Sequence, residues 1–83
     1  MPSMPTVKEI TDVLCEGLER DLGSLDLERA IADVPEWTSI AWLAIIALFD
    51  ERFEIPLAAK QIKSFRVVND VVKYVQLQAE EKS

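Results

Sequence analysis

The sequence predicts an all-α domain, a bundle of four helices with a long loop between the first two and a short third helix. Three observations carry that prediction. Apolar residues recur at helical spacing in separate segments of the chain. A capping-box pattern opens the first of them. An 11-residue stretch without a charge, Ser39–Phe49, reads as a helix that must bury most of its surface or meet something with the rest.

Met1–Pro5 reads as a lead-in. In Thr6-Val7-Lys8-Glu9, Thr6 stands at the N-cap and Glu9 at the N3 position. Ile10, Val13, Leu14, Leu18 and Leu22 then recur at helical spacing, which predicts a helix over residues 7–21. Glu9, Asp12, Glu16 and Glu19 take its wet side. Gly17 weakens the helix a little but permits close packing. Gly23-Ser24 is the expected stop.

Residues 24–37 hold Leu25, Leu27, Ile31 and Val34 at no sustained period. They predict a long loop with one turn around Asp26–Ala32, pinned across the helices by its scattered apolar residues. So long a loop in a small domain points to function. Pro35 ends any turn before it, and Trp37 anchors the approach to the next helix.

The second helix opens at Thr38 or Ser39 and runs to about Arg52. A helical wheel places Trp42, Ile45, Ile46, Phe49 and Phe53 toward the core. Ile40, Ala44, Ala47 and Glu51 lie opposite, with Leu43 on the flank. The alanines leave a low, smooth surface, suited to another protein or to packing against the loop. Pro56 suits the first position of a short third helix over 57–62. Val68, Val71, Val72 and Val75 predict a fourth helix over 68–78, with Tyr74 at the border of the core. Valines are mediocre helix formers, so burial must hold it. The polar tail from Gln78 is expected to fray. The whole reads as one domain over 1–83, ordered over about 6–78, with Trp42, Phe49, Val71 and Val75 in one core.

Charge and composition narrow the function. The 83 residues carry a net charge of −6. Residues 1–38 hold nine acids and three bases, and residues 39–83 hold six of each. No basic stripe appears, so nucleic acid is not an expected partner. Cys15 is the single cysteine, which excludes an internal disulfide and a thiolate metal cluster. No signal peptide is legible, and Ser39–Phe49 is too short to span a bilayer. The expectation is a cytosolic monomer.

Histidine is absent, which removes the familiar catalytic triads and the commonest metal ligand. No carboxylate stands alone inside an apolar run where its pKa would be pushed upward. Asp50 and Glu51 solvate a helix end. The chain is therefore expected not to be an enzyme. Ser39 remains, with two readings. It is an N-cap, or it is an exposed serine where a phosphate ester would meet free amides and the positive end of the helix dipole.

Three runs carry a family resemblance. They are Trp37-Thr38-Ser39-Ile40, the helix end Leu48-Phe49-Asp50-Glu51-Arg52-Phe53-Glu54-Ile55-Pro56, and Ile62-Lys63-Ser64-Phe65-Arg66-Val67-Val68-Asn69-Asp70-Val71-Val72. In order and spacing the sequence from Pro35 to Val75 resembles the acyl carrier protein family, also called peptidyl carrier or phosphopantetheine-attachment domains. The resemblance implies a small acidic four-helix bundle. It implies that Ser39 receives 4′-phosphopantetheine from coenzyme A through a phosphopantetheinyl transferase. An acyl or aminoacyl group would then travel as a thioester on that arm, in fatty-acid or secondary metabolism. The implied partners are the transferase and a loading ligase, acyltransferase or synthase.

Two departures from the family stand out. Thr38 replaces the aspartate that usually precedes the modified serine and helps the transferase recognise it. Ala41 and Ala44 replace acidic residues of the usual docking face, while Asp50 and Glu51 persist. The resemblance thus implies a partner-binding set of Thr38, Ile40, Ala41, Ala44, Ala47, Asp50 and Glu51. Apolar contact outweighs charge in that set, which fits a specialised partner. The interior between the second and third helices would shelter an apolar cargo, unless Trp42 and Phe49 fill it and favour a short or polar one. The alternative is an unmodified protein–protein interaction module on the same fold.

Overall fold

Thr6 and Glu9 open the first helix reciprocally. The Thr6 hydroxyl accepts the Glu9 amide at 3.1 Å, and the Glu9 carboxylate accepts the Thr6 amide at 3.0 Å. The structure, a computed structural model, describes residues 5–82. Met1–Met4, most of the expected lead-in, and Ser83 lie outside the described residues.

Helix α1 spans Val7–Leu18 and buries Ile10, Val13, Leu14, Cys15 and Leu18. It stops at Leu18, not at residue 21. Glu19 takes the left-handed conformation (φ 58°, ψ 41°). The Glu19 amide then donates to the Glu16 carbonyl at 3.2 Å, and the Arg20 amide to the Cys15 carbonyl at 2.9 Å. These two bonds close the helix as a Schellman motif. The apolar stripe ends at Leu18, and Glu19-Arg20-Asp21 have no apolar surface with which to hold another turn. Leu22 therefore lies outside the helix, 65% exposed. Gly23, at φ 81°, serves a separate turn.

The loop is fastened at two places. Arg20 donates from Nε to Ser24 Oγ (3.2 Å), from Nη2 to the Ser24 carbonyl (3.3 Å) and from Nη1 to the Glu36 carboxylate (3.0 Å). One side chain thereby ties the start of the loop to its end. Farther on, the Ile31 amide donates to the Arg66 carbonyl (2.9 Å), Val68 to Arg29 (3.0 Å) and Asn69 to Leu27 (2.8 Å). A short 3-10 turn, Ile31–Asp33, follows the second fastening point. Leu25, Leu27 and Ile31 pack against the core, and Val34 and Trp37 are buried in it. The loop is pinned by its apolar residues, as the sequence implies.

Helix α2 spans Ser39–Phe53. Ile45 and Phe49 are fully buried, and Ala41 is 7% exposed. Trp42, Ile46 and Phe53 are half-buried against the core. Trp42 thus borders the core and is not inside it. The helix closes at Glu54, again left-handed (φ 55°, ψ 38°). Full burial of a side chain the size of Phe49 contributes about 1.5–3 kcal/mol.

Pro56 does not start a helix. Ile55 and Leu57 on either side of it are buried, and Pro56 itself is exposed. Burying both neighbours keeps residues 54–58 non-helical, so helix α3 begins later and spans Ala59–Ser64. Helix α4 spans Val68–Lys82 and buries Val68, Val71, Val72 and Val75. It continues beyond residue 78 because Ala79, one turn past Val75, packs against the core. At its start the Asp70 carboxylate accepts the amides of Arg66 (2.9 Å) and Val67 (3.1 Å). Helix α1 packs against both α2 and α4. No strand is present among the described residues beyond one isolated antiparallel bridge, Ala30–Val67.

Candidate functional site

Thr38 takes the cap of α2. Its backbone is extended (φ −97°, ψ 178°), and its hydroxyl accepts the Ala41 amide at 3.2 Å. Its carbonyl accepts the Trp42 amide at 3.0 Å. Ser39 is therefore the first helical residue and has no capping duty. It is exposed, and its hydroxyl has no hydrogen-bond partner among the described residues. The other described serines differ. Ser24 Oγ accepts from Arg20 Nε (3.2 Å), and Ser64 Oγ donates to the Gln61 carbonyl (2.6 Å). The amides of Ser39 and Ile40, in the first turn, have no intrahelical acceptor.

Below Ser39 runs an apolar face. Ile40 is 78% exposed and Leu43 67%, and Ala44, Ala47 and Glu51 are exposed beside them. Their spacing sets them on one side of the helix. Leu43 belongs to this face and not to a flank. Asp50 is also exposed near the helix end. Ala41 does not belong to the face. It shares the buried stripe of Ile45 and Phe49 at successive four-residue steps. The stripe is turned toward Ala41 because α1 approaches α2 at Gly17, against Ile45.

Two concavities flank the helix start. A groove of about 310 Å³ lies between the end of α1 and the first turns of α2. Gly17, Leu18 and Ala41 line it, with Ile40 and Ala44 on one side and Glu16, Glu19 and Glu36 also contributing. Glu16 pairs with Arg52 at 2.7 Å and Glu36 with Arg20 at 3.0 Å, whereas Glu19 makes no ion pair among the described residues. These glutamates escaped the sequence reading. Periodicity marks Glu16 and Glu19 as wet but does not say which face of α2 they adjoin.

The second concavity, about 440 Å³, lies among the loop, α2 and α3. Ile31, Trp42, Ile62 and Phe65 form most of it, and Arg66 lies at one side. Trp42 connects Trp37 (centroids 5.0 Å) with Phe65 (6.2 Å), and Phe65 meets Tyr74 edge-on at 5.6 Å. Trp42 thus forms a wall of this space, while Phe49 is buried in the core and plays no part in it.

Among the described residues, no group of three potential metal ligands occurs and no helix is long and apolar enough to cross a membrane. Comparison with family models and with curated proteins finds no match. Among solved structures, the chain is similar to a holo acyl carrier protein from Geobacter metallireducens determined by solution NMR. The identity is 21%, over 95% of this chain and 93% of that one, with a TM-score of 0.74. The chain has the acyl carrier protein fold.

Proposed function

We propose that this chain is a carrier protein whose Ser39 bears a 4′-phosphopantetheine arm derived from coenzyme A. The observation that carries the reading is the division of labour at the start of α2. Thr38 caps the helix, which leaves Ser39 the one described serine with an unengaged hydroxyl. The site fits the group. The Ser39 oxygen is exposed, and the neighbouring Ser39 and Ile40 amides are available to a phosphate oxygen at the positive end of the helix dipole. When attached, the arm supplies a terminal thiol that holds an acyl or aminoacyl group as a thioester. The chain's own residues hold and present it. Ile40, Leu43, Ala44 and Ala47 offer apolar contact to a transferase and to a loading ligase, acyltransferase or synthase. The cavity walled by Phe65 and by Trp42, which stands one helical turn after Ser39, suits a short apolar cargo. The chain acts as a cytosolic monomer and catalyses nothing itself.

The test is an intact-mass assay with coenzyme A and a broad-specificity transferase. Ser39 gains one phosphopantetheine, Ser39→Ala gains none, and Thr38→Asp is modified faster than wild type because it restores a charge beside the acceptor. Labelling at Ser24 or Ser64, or no labelling at all, overturns the assignment. A second reading, an unmodified interaction module, rests on the 78% exposure of Ile40 and 67% of Leu43, which serve docking with or without an arm.

A further inference from the structure

We infer that the cargo is a short acyl group ending in a carboxylate, the half-thioester of a dicarboxylic acid, whose apolar body lies against Trp42 and Phe65 and whose carboxylate meets the Arg66 guanidinium. The inference rests on the carrier reading and names the chemical class of what the arm holds. The space among the loop, α2 and α3 measures about 440 Å³. Ile31, Trp42, Ile62 and Phe65 give it apolar walls, and Arg66 is the one charged residue lining it among the described residues. Such walls accept methylene groups but offer a carboxylate no hydrogen bond, so an anionic end has its place at Arg66.

Arg66 has a fixed base and a free head. Its amide donates to the Asp70 carboxylate at 2.9 Å, and its carbonyl accepts the Ile31 amide at 2.9 Å. The backbone is thereby clamped between α4 and the loop at the side of the cavity. The side chain is exposed and enters no ion pair or hydrogen bond among the described residues. Asp70, the acid nearest to it in sequence, turns its carboxylate to the backbone amides of Arg66 and Val67 instead. Arg20 and Arg52, by contrast, are each bound to a glutamate, at 3.0 Å and 2.7 Å. An anchored, planar guanidinium without a partner suits a carboxylate through two parallel hydrogen bonds. The net charge of −6 repels an anion overall, so a preference for one has to come from a local cation.

The test is a titration of the full chain with two free thioesters of N-acetylcysteamine, glutaryl and pentanoyl, which share a five-carbon acyl chain and differ in the terminal carboxylate. Binding is followed by backbone and side-chain chemical shifts. The shifts centre on Ile31, Trp42, Phe65 and Arg66, and the glutaryl thioester binds about fivefold more tightly, as one partly exposed ion pair allows. Arg66→Gln abolishes the preference and Arg66→Lys keeps part of it. Lys8→Gln, the same change of net charge on α1, leaves it intact. Equal affinity for the two thioesters, equal effects of Arg66→Gln and Lys8→Gln, shifts centred elsewhere, or no binding overturn the inference. The free thioesters read the cavity whether or not Ser39 is modified, and the mass assay reads Ser39 alone, so either reading can fail without the other.

Discussion

Ile45 lies against Gly17 so closely that a Cβ on the glycine would fall 2.6 Å from Ile45 Cγ1. Ile45 is fully buried, and its β-branched side chain is stiff, so it has little room to yield. Gly17→Ala gains about 1 kcal/mol of helix propensity. Overpacking at such a contact costs about 1–3 kcal/mol. The expected net is a loss of stability, read from urea melts. A gain would show that Ile45 shifts freely.

Phe49→Ala removes the largest fully buried side chain and is expected to destabilise by about 3–5 kcal/mol. Ile40→Ala, on the exposed face, should stay within about 0.5 kcal/mol of wild type. Equal losses in denaturant melts would contradict the orientation of α2.

Glu19 holds a left-handed conformation that suits glycine far better. Glu19→Gly should therefore raise stability by about 0.5–1 kcal/mol, the relief of strain being partly offset by a freer unfolded chain. A fall in stability would mean that the carboxylate itself supports the fold.

The amides of Arg66 and then Val67, donating to the Asp70 carboxylate, hold its pKa below the ordinary aspartate value. A carboxylate with a depressed folded pKa contributes stability that is full above its unfolded pKa and is lost as pH falls through the folded one. Wild type should thus shed this contribution only in acid, below about pH 4. Asp70→Asn should be less stable near neutrality and should approach wild type in acid. A stability difference unchanged between pH 7 and pH 2.5 would contradict the role of the ionised carboxylate.

Thr38→Ala should lose about 1 kcal/mol, because the Ala41 amide loses its acceptor. Thr38→Asp keeps an acceptor and places a negative charge at the positive helix end, so it should match or exceed wild type by about 0.3–1 kcal/mol. Thermal melts of the pair separate the cap from the charge.

What was legible in the sequence is what neighbouring residues decide among themselves. Thr6 and Glu9 cap α1 through side chains three residues apart, and the valines of α4 announce their buried stripe by spacing alone. Ser39 was legible as a residue at a helix opening. Its freedom was not, because Thr38 and Ser39 are equally good caps and only the backbone of Thr38 decides between them. Pro56 looked like a helix start until burial of Ile55 and Leu57 on both sides overrode it. Ala41 looked like surface until the notch at Gly17 drew that side of α2 inward. The groove glutamates needed the packing of α1 beside α2, which no local pattern encodes.

The fastening of the loop to the start of α4 has a consequence for hydrogen exchange. The Val68 and Asn69 amides, at the frayed end of an ordinary helix, donate to the carbonyls of Arg29 and Leu27 from the far side of the sequence. Their protons can leave for solvent only when the loop lifts. Deuterium uptake at these two positions therefore times the opening of the loop and not the unwinding of the helix they begin, and the loop and the first turn of α4 behave as one cooperative unit.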